Sequence, residues 1–268
     1  MDFRGKSVII TGASSGIGEE LAVRLARRGG KLTLAARSEA ELARVAKRCL
    51  EAGGEATTVT TDVSDPESCR RMVERAVAAF GGVDSLVNNA GISMLARFDE
   101  VTDLTVFDKI MRVNYLGAVY ATHFALPHVV KSRGLLVAVS SLTGKFGAPT
   151  RCGYAASKHA MEGFFDTIRI ELAPSGVDVL IVSPGFIGTD IRAKALGGDG
   201  KPLGESPRDE SQGNISADDC AGAIEKAMIG RKRDVIIPAR DNIARWVQLV
   251  APSLLDRVAD KRTRRKGE

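Results

Sequence analysis

Ser7-Val-Ile-Ile-Thr-Gly-Ala-Ser-Ser-Gly-Ile-Gly18 decides how this chain is read. A short β-branched run, Ser7 to Ile10, enters a Gly/Ser turn. A helix from Gly16 to Arg28 follows, with Ile17, Leu21 and Leu25 recurring every fourth residue. Gly12, Gly16 and Gly18 leave room for the backbone to approach a pyrophosphate, and Ser14, Ser15 and Ile17 line the same turn. A helix N-terminus adds free N–H groups and the positive end of a dipole. The spacing is GxxxGxG, not the GxGxxG of the usual dinucleotide turn. No Lys-Ser/Thr follows the last glycine, so this is not a Walker-type loop. Tight turns need glycine anyway. The position directly after the first strand is what points to a nucleotide.

Outward from this turn, strand-like and helix-like segments alternate. Strands are predicted at Lys31 to Ala36, Glu55 to Thr61, Val83 to Val87, Leu135 to Ser140, Val177 to Ser183 and Val235 to Ile237. Helices are predicted at Glu39 to Ala52, Pro66 to Phe80, Asp103 to Lys131, Tyr154 to Leu172 and Ala217 to Ile229. The strands are continuous apolar runs, as expected where both faces of a sheet are covered. The class is therefore α/β, a doubly wound, mostly parallel sheet with helices on both faces. No break divides residues 1–240, and a separate amphipathic, basic extension covers 241–268. Gly197 to Asn214 reads as a surface loop of the kind that closes over a site.

Chemistry gathers at the carboxyl ends of the strands, where open α/β sheets bind ligands. Arg37 ends the second strand, about twenty residues past the glycines, where NADP binders place a cation for the 2′-phosphate. Asn88-Asn-Ala-Gly91 ends the fourth strand, Ser140-Ser141 the fifth, and Pro184-Gly185 follows the sixth. Tyr154-Ala-Ala-Ser-Lys158 puts a phenol and an ammonium on one helix face. A free tyrosine has a pKa of about 10, and a neighbouring cation is expected to lower it.

In order and spacing, TGASSGIG, NNAG, Ser141, YAASK and the PG…T segment resemble the short-chain dehydrogenase/reductase family over roughly residues 5 to 240. The resemblance implies a Rossmann-like sheet of about seven strands in the order 3-2-1-4-5-6-7. It implies catalytic roles for Asn114, Ser141, Tyr154 and Lys158. Tyr154 would be the general acid/base, Lys158 its support and a ribose ligand. Ser141 would polarise the carbonyl, and Asn114 would hold a proton-relay water. Asp62 and Val63 would meet the adenine. Asn88, Ala90, Gly91 and Val113 would line the cofactor floor. Pro184, Gly185, Ile187 and Thr189 would lie along the nicotinamide. The implied cofactor is NADP(H) and the substrate a carbonyl/alcohol pair, with hydride passing directly and no metal. A homodimer or homotetramer is implied as well. Binding of NADP(H) without turnover, as a sensor, is the alternative.

The 268 residues carry 44% apolar residues and a net charge of +5. The four cysteines are scattered without zinc spacing, which fits free thiols in a reducing compartment. With neither an apolar leader nor a run of about 18 apolar residues, the expectation is a soluble, cytoplasmic protein. The tail combines Ile243, Trp246, Val247, Leu249, Val250, Leu254, Leu255 and Val258 with Arg240, Arg245, Arg257 and a final basic cluster. It reads as a peripheral membrane contact, a cover for the substrate entrance, or a helix pair packed on the body. Nothing beyond charge points to nucleic acid.

Overall fold

The computed structural model describes residues 2–188, 191, 193–204 and 215–264. Strand β1 (Ser7–Thr11) is buried along its whole length and feeds α1 (Gly16–Arg27). Two more strand–helix units follow: β2 (Lys31–Ala36) with α2 (Glu39–Glu51), and β3 (Glu55–Thr60) with α3 (Pro66–Phe80). Asp65 caps α3 by accepting from Glu67 and Ser68, and Pro66 occupies the first turn, where a missing N–H costs nothing. Strand β4 (Ser85–Asn88) then crosses to the other side of β1. The second half comprises α4 (Thr105–Met111), α5 (Gly117–Ser132), β5 (Leu135–Val139), α6 (Cys152–Leu172) and β6 (Asp178–Pro184). A two-residue pair, β7 (Ile187–Gly188) with β8 (Ile215–Ser216), stands apart from the main sheet. The described chain ends with α7 (Ala217–Ile229), β9 (Asp234–Ile237), α8 (Asn242–Val250) and α9 (Pro252–Arg264).

The seven main strands run parallel in the order β3-β2-β1-β4-β5-β6-β9. This is the expected Rossmann-like order, with the last strand ninth in sequence because the short pair intervenes. One apolar layer, with Leu21, Leu25, Leu42 and Ile224, packs α1, α2 and α7 on one face. Another, with Met72, Ala121, Met161 and Phe165, packs α3, α5 and α6 on the other. Chain order reverses between β1 and β4, so their carboxyl ends open the crevice where such sheets bind ligands.

Most element ends fall within one or two residues of expectation, and one expected helix is divided. Strand β4 starts at Ser85 rather than Val83 and runs on through Asn88. Helix α6 starts two residues before Tyr154, at Cys152. The long helix expected over Asp103 to Lys131 is broken, because Arg112–Leu116 winds as a π turn between α4 and α5. A π turn widens the helix locally and turns a side chain to a new direction. Here that side chain is Asn114.

Candidate active site

The glycine turn is held by the strand beside it. Thr11 Oγ1 donates to the Val87 carbonyl at 3.2 Å and accepts from the Asn89 and Ala90 amides, each at 3.0 Å. Asn89 Nδ2 donates back to the carbonyls of Thr11 at 2.9 Å and Gly12 at 3.1 Å. Gly12 has φ +65°, and a Cβ there would stand 2.9 Å from the Ala90 Cα. A Cβ on Gly18 would overlap the Gly12 carbonyl. Ser15 caps α1 with no side-chain hydrogen bond, so the first-turn N–H groups that every helix leaves unpaired are open to a ligand. These features fit a dinucleotide pyrophosphate.

Arg37 is exposed just past β2, and its side chain makes no ion pair or hydrogen bond among the described residues. The other guanidinium at the turn is engaged. Arg44 bonds Glu19 at 2.5 and 2.7 Å and reaches the Ser14 carbonyl at 3.4 Å. Burial pushes the Glu19 carboxyl up, but hydrogen bonds from Arg44 and Arg48 outweigh it and hold it below its ordinary value. Asp62 is exposed and accepts from the Ser64 amide and hydroxyl at 2.9 and 2.7 Å. Val63 packs at the foot of α5, where a Cβ on Gly117 would lie 2.8 Å from its Cγ2. Val113 is half-buried in the π turn. Asn88, expected along the cofactor floor, is almost fully buried. It is 2% exposed, donates to Thr122 Oγ1 at 3.2 Å, and its buried Oδ1 has no hydrogen-bond partner among the described residues.

Tyr154 and Lys158 occupy the first two turns of α6, both buried. The ammonium donates to the Val139 carbonyl at 2.9 Å and lies 5.9 Å from the Tyr154 ring centre. Burial pulls the Lys158 pKa down to about 8, opposed by the charge of Glu162 one turn on. Tyr154 does not titrate as the YxxxK spacing alone predicts. Burial raises it above its ordinary value, and a hydrogen bond with Ser141 and the charge of Arg151 offset only part of that. Ser141 Oγ accepts from the Thr143 amide at 3.2 Å and from its hydroxyl at 3.1 Å, at the head of a single turn, Leu142–Gly144. The Asn114 carboxamide pairs with the Ile92 backbone in both directions, at 2.8 and 2.9 Å, and donates to Ser157 Oγ at 2.9 Å. A Cβ on Gly91 would lie 3.2 Å from Asn114 Oδ1 and 3.6 Å from Lys158 Nζ, so the floor, the amide and the ammonium adjoin.

Tyr154 also belongs to an apolar cluster with Met94, Ala96, Val106 and Ile110, against which Ile92, Phe107 and Leu196 pack. Residues 193–204 are tied to this wall. Leu196 exchanges backbone hydrogen bonds with Ser93 and Leu95, and the Gly198 carbonyl accepts from Thr102 and Asp103. Ile187 is buried, and the Gly185 amide donates to the Ile237 carbonyl at 2.7 Å beside Leu142 and Asp241. Thr189 and the remainder of the expected loop, 205–214, lie outside the described residues. His159 is exposed and its Nδ1 lies 2.9 Å from the Ala155 carbonyl, away from the site as expected. Sequence reasoning missed the bonding of Thr11 and Asn89. It also missed Glu162, although that residue is four after Lys158 and the same helical spacing marks it.

Burial of Lys158 generates a stability prediction. Its pKa in the folded protein, about 8, lies below its ordinary 10.5, so the unfolded chain binds more protons between those values. The resulting destabilisation is complete below pH 8 and disappears as pH rises to 10.5. Lys158→Met should therefore stabilise the cofactor-free protein near neutral pH by roughly 1–3 kcal/mol, allowing for the Val139 carbonyl left without its donor. Urea midpoints across that range should converge at high pH. A variant no more stable than its parent at neutral pH contradicts the account.

Residues 6–198 match the family model described as short chain dehydrogenase. The chain is 42% identical over 254 residues to the 11-beta-hydroxysteroid dehydrogenase-like 4A protein of Arabidopsis thaliana, covering 94% of this chain and 82% of that one. It is 40% identical over 266 residues to a dehydrogenase/reductase SDR family protein 7-like of Anopheles gambiae, covering 96% and 83%. Among solved structures, a short-chain dehydrogenase/reductase of Burkholderia phymatum in complex with NAD superposes with a TM-score of 0.82 at 25% identity, covering 95% of this chain and 96% of that one. The alcohol dehydrogenase of the archaeon Thermococcus sibiricus, complexed with 5-hydroxy-NADP, gives 0.76 at 28% identity, covering 87% and 95%. With this fold, glycine turn and buried Tyr154–Lys158 pair, the chain is a nucleotide-binding oxidoreductase that belongs to the short-chain dehydrogenase family.

Proposed function

We propose that the protein is an NADP(H)-dependent reductase of hydrophobic ketones or aldehydes, with the corresponding alcohol as the substrate of the reverse reaction. The observation that carries this reading is the Tyr154 phenol, buried beside Ser141 in an apolar wall, where burial raises its pKa above the ordinary value. A protonated phenol suits proton donation to a carbonyl oxygen as that oxygen becomes an alkoxide. Ser141 supplies a second hydroxyl for the same oxygen and favours the charge that develops there. Lys158 brings positive charge beneath the phenol, which eases loss of its proton. NADPH, when bound, supplies the hydride. The apolar wall excludes water and selects a greasy substrate. Relatives named for 11-beta-hydroxysteroids make a bulky secondary alcohol or ketone of steroid type our favoured substrate class.

The two solved relatives carry different nucleotides, so cofactor choice rests on Arg37. Its exposed guanidinium follows β2, where a 2′-phosphate is recognised. Arg37→Glu should raise KM for NADPH roughly 10- to 100-fold, with little change for NADH. Tyr154→Phe should slow NADPH-dependent reduction of an 11-ketosteroid by about 10²- to 10⁴-fold and leave NADPH binding intact. A parent that prefers NADH sinks the Arg37 assignment. Tight NADPH binding without Tyr154-dependent turnover favours the sensor reading. We also propose a homodimer or homotetramer, supported by Ile170, 73% exposed on α6.

A docking role for the last two helices supports the same substrate class. Ile243, Trp246, Leu249 and Val250 of α8 and Leu254 and Val258 of α9 are exposed, from 41% to 79%. Arg240, Arg245 and Arg257 are exposed among them. Asp241, just before α8, stands beside Gly185 and Leu142 at the candidate site. Apolar side chains with an interfacial tryptophan and flanking cations match an anionic bilayer surface. No described helix is long and apolar enough to cross a membrane. We propose that this hairpin docks on anionic lipid and takes up substrate there. Trp246 is the chain's single tryptophan, so its emission reports docking directly. Phosphatidylglycerol-containing vesicles should shift it to the blue, and Ile243→Asp with Leu249→Asp should abolish the shift. No shift with any vesicle, or a shift that tracks protein concentration without lipid, contradicts docking.

A further inference from the structure

Behind the Tyr154–Lys158 face lies a cluster of buried charges that the proposed chemistry does not use. Glu162 follows Lys158 by one helical turn and is 7% exposed. Its Oε1 accepts from Ser140 Oγ at 2.7 Å and from Ser183 Oγ at 3.2 Å. Its Oε2 pairs with the Lys145 ammonium at 2.9 Å, and that ammonium also bonds Asp234 at 2.8 Å. Arg245 of α8 stands 3.6 Å from the same Asp234 oxygen. One carboxylate thus joins α6, the ends of β5 and β6, and the turn after β5. Through Lys145 it reaches the start of β9.

The turn is shaped around this carboxylate. A Cβ on Gly144 would lie 2.5 Å from both Glu162 Oε1 and Ser140 Oγ, so only glycine lets the turn close on it. Buried ion pairs are weak devices for stability, because desolvation consumes most of the Coulomb attraction. Their recurrent benefit is specificity of arrangement. The Ser140 amide donates to the Val182 carbonyl at 2.7 Å, continuing the β5–β6 pairing, and Ser141 beside it is extended, so neighbouring side chains along this stretch point to opposite sides. Holding Ser140 by its hydroxyl therefore sets the direction of Ser141.

We propose that Glu162 is a positioning residue for the reaction, its carboxylate locking Ser140 and Lys145 so that Ser141 faces Tyr154 and the Lys158 ammonium keeps a counter-charge. This rests on the reductase reading for its kinetic consequence, but the arrangement itself can be probed without turnover. The charged and titratable groups around it are Tyr154 and Lys158 on α6, Lys145 on the turn, Asp234 on β9, Arg245 on α8, and Arg151, whose charge reaches Tyr154.

The test is Glu162→Gln in the full chain, with two readouts. The first is NADPH-dependent reduction of an 11-ketosteroid as a function of pH. The second is an NMR titration of the lysine ε-carbons, with Lys158 assigned by its absence from Lys158→Met. The expected result is a kcat lower by about tenfold, about 1.4 kcal/mol on the barrier, with NADPH affinity unchanged. The Lys158 midpoint and the matching limb of the pH profile should both move to lower pH. A double variant, Glu162→Gln with Lys145→Met, also removes the ammonium, which the single variant leaves paired with Asp234, and should not regain rate. Unchanged kcat, an unchanged Lys158 midpoint, or rate recovered in the double variant would each overturn the proposal. A parent that reduces nothing, alongside a variant whose Lys158 midpoint still drops, fails the reductase reading and leaves the positioning role standing.

Discussion

The Lys158 ammonium donates to the carbonyl of Val139, the last residue of a fully buried strand. The rest of the site is arranged around that contact. It joins the Tyr154 helix to the centre of the sheet and places a cation beneath a phenol. It also sets the ammonium beside Gly91 and Asn114. Burial pulls the lysine down to about 8 and pushes the tyrosine up. Both shifts oppose ionisation, but near neutral pH only the lysine's lowers the stability of the fold, because the tyrosine is uncharged there in the folded and unfolded chain alike. That is the pattern of a site kept for chemistry rather than for folding.

Around this pair the sheet supplies fixed edges. Thr11 and Asn89 stitch the ends of β1 and β4 together before any ligand arrives. The glycine turn is therefore a preformed cradle rather than a flexible loop. The π turn performs the matching task on the helical side. By widening the helix at Asn114, it directs a carboxamide onto the Ile92 backbone and fixes the segment that leads into the apolar wall. Preorganisation of this kind lets hydride and proton donors meet one carbonyl without reordering at the moment of reaction.

The layered architecture was legible because each central strand is an unbroken apolar run ending in Gly, Asn or Ser. The YxxxK pair stood in the sequence itself, whereas the strand order came with the family resemblance. The π turn left no such mark, since Arg112 to Leu116 has an ordinary helical composition and the break lies in hydrogen-bond geometry alone. The direction of the Tyr154 shift was misread because spacing reports the neighbouring cation but not the depth of burial. Lys145 and Asp234 are 89 residues apart and meet only because β5 and β9 flank β6. Glu162 could have been found, since its spacing from Lys158 equals that of Lys158 from Tyr154. The partner that would have made it conspicuous is remote in sequence.

The central claim is that Tyr154 delivers a proton while hydride passes directly from the nicotinamide to a carbonyl carbon. NADPH deuterated at the transferring position of nicotinamide C4, incubated with an 11-ketosteroid in ordinary water, tests it most directly. The account predicts product with deuterium on the new carbinol carbon and none on its hydroxyl, formed about 10²- to 10⁴-fold more slowly by Tyr154→Phe. Carbinol hydrogen drawn from solvent, or product formed as fast by the phenylalanine variant, would contradict it.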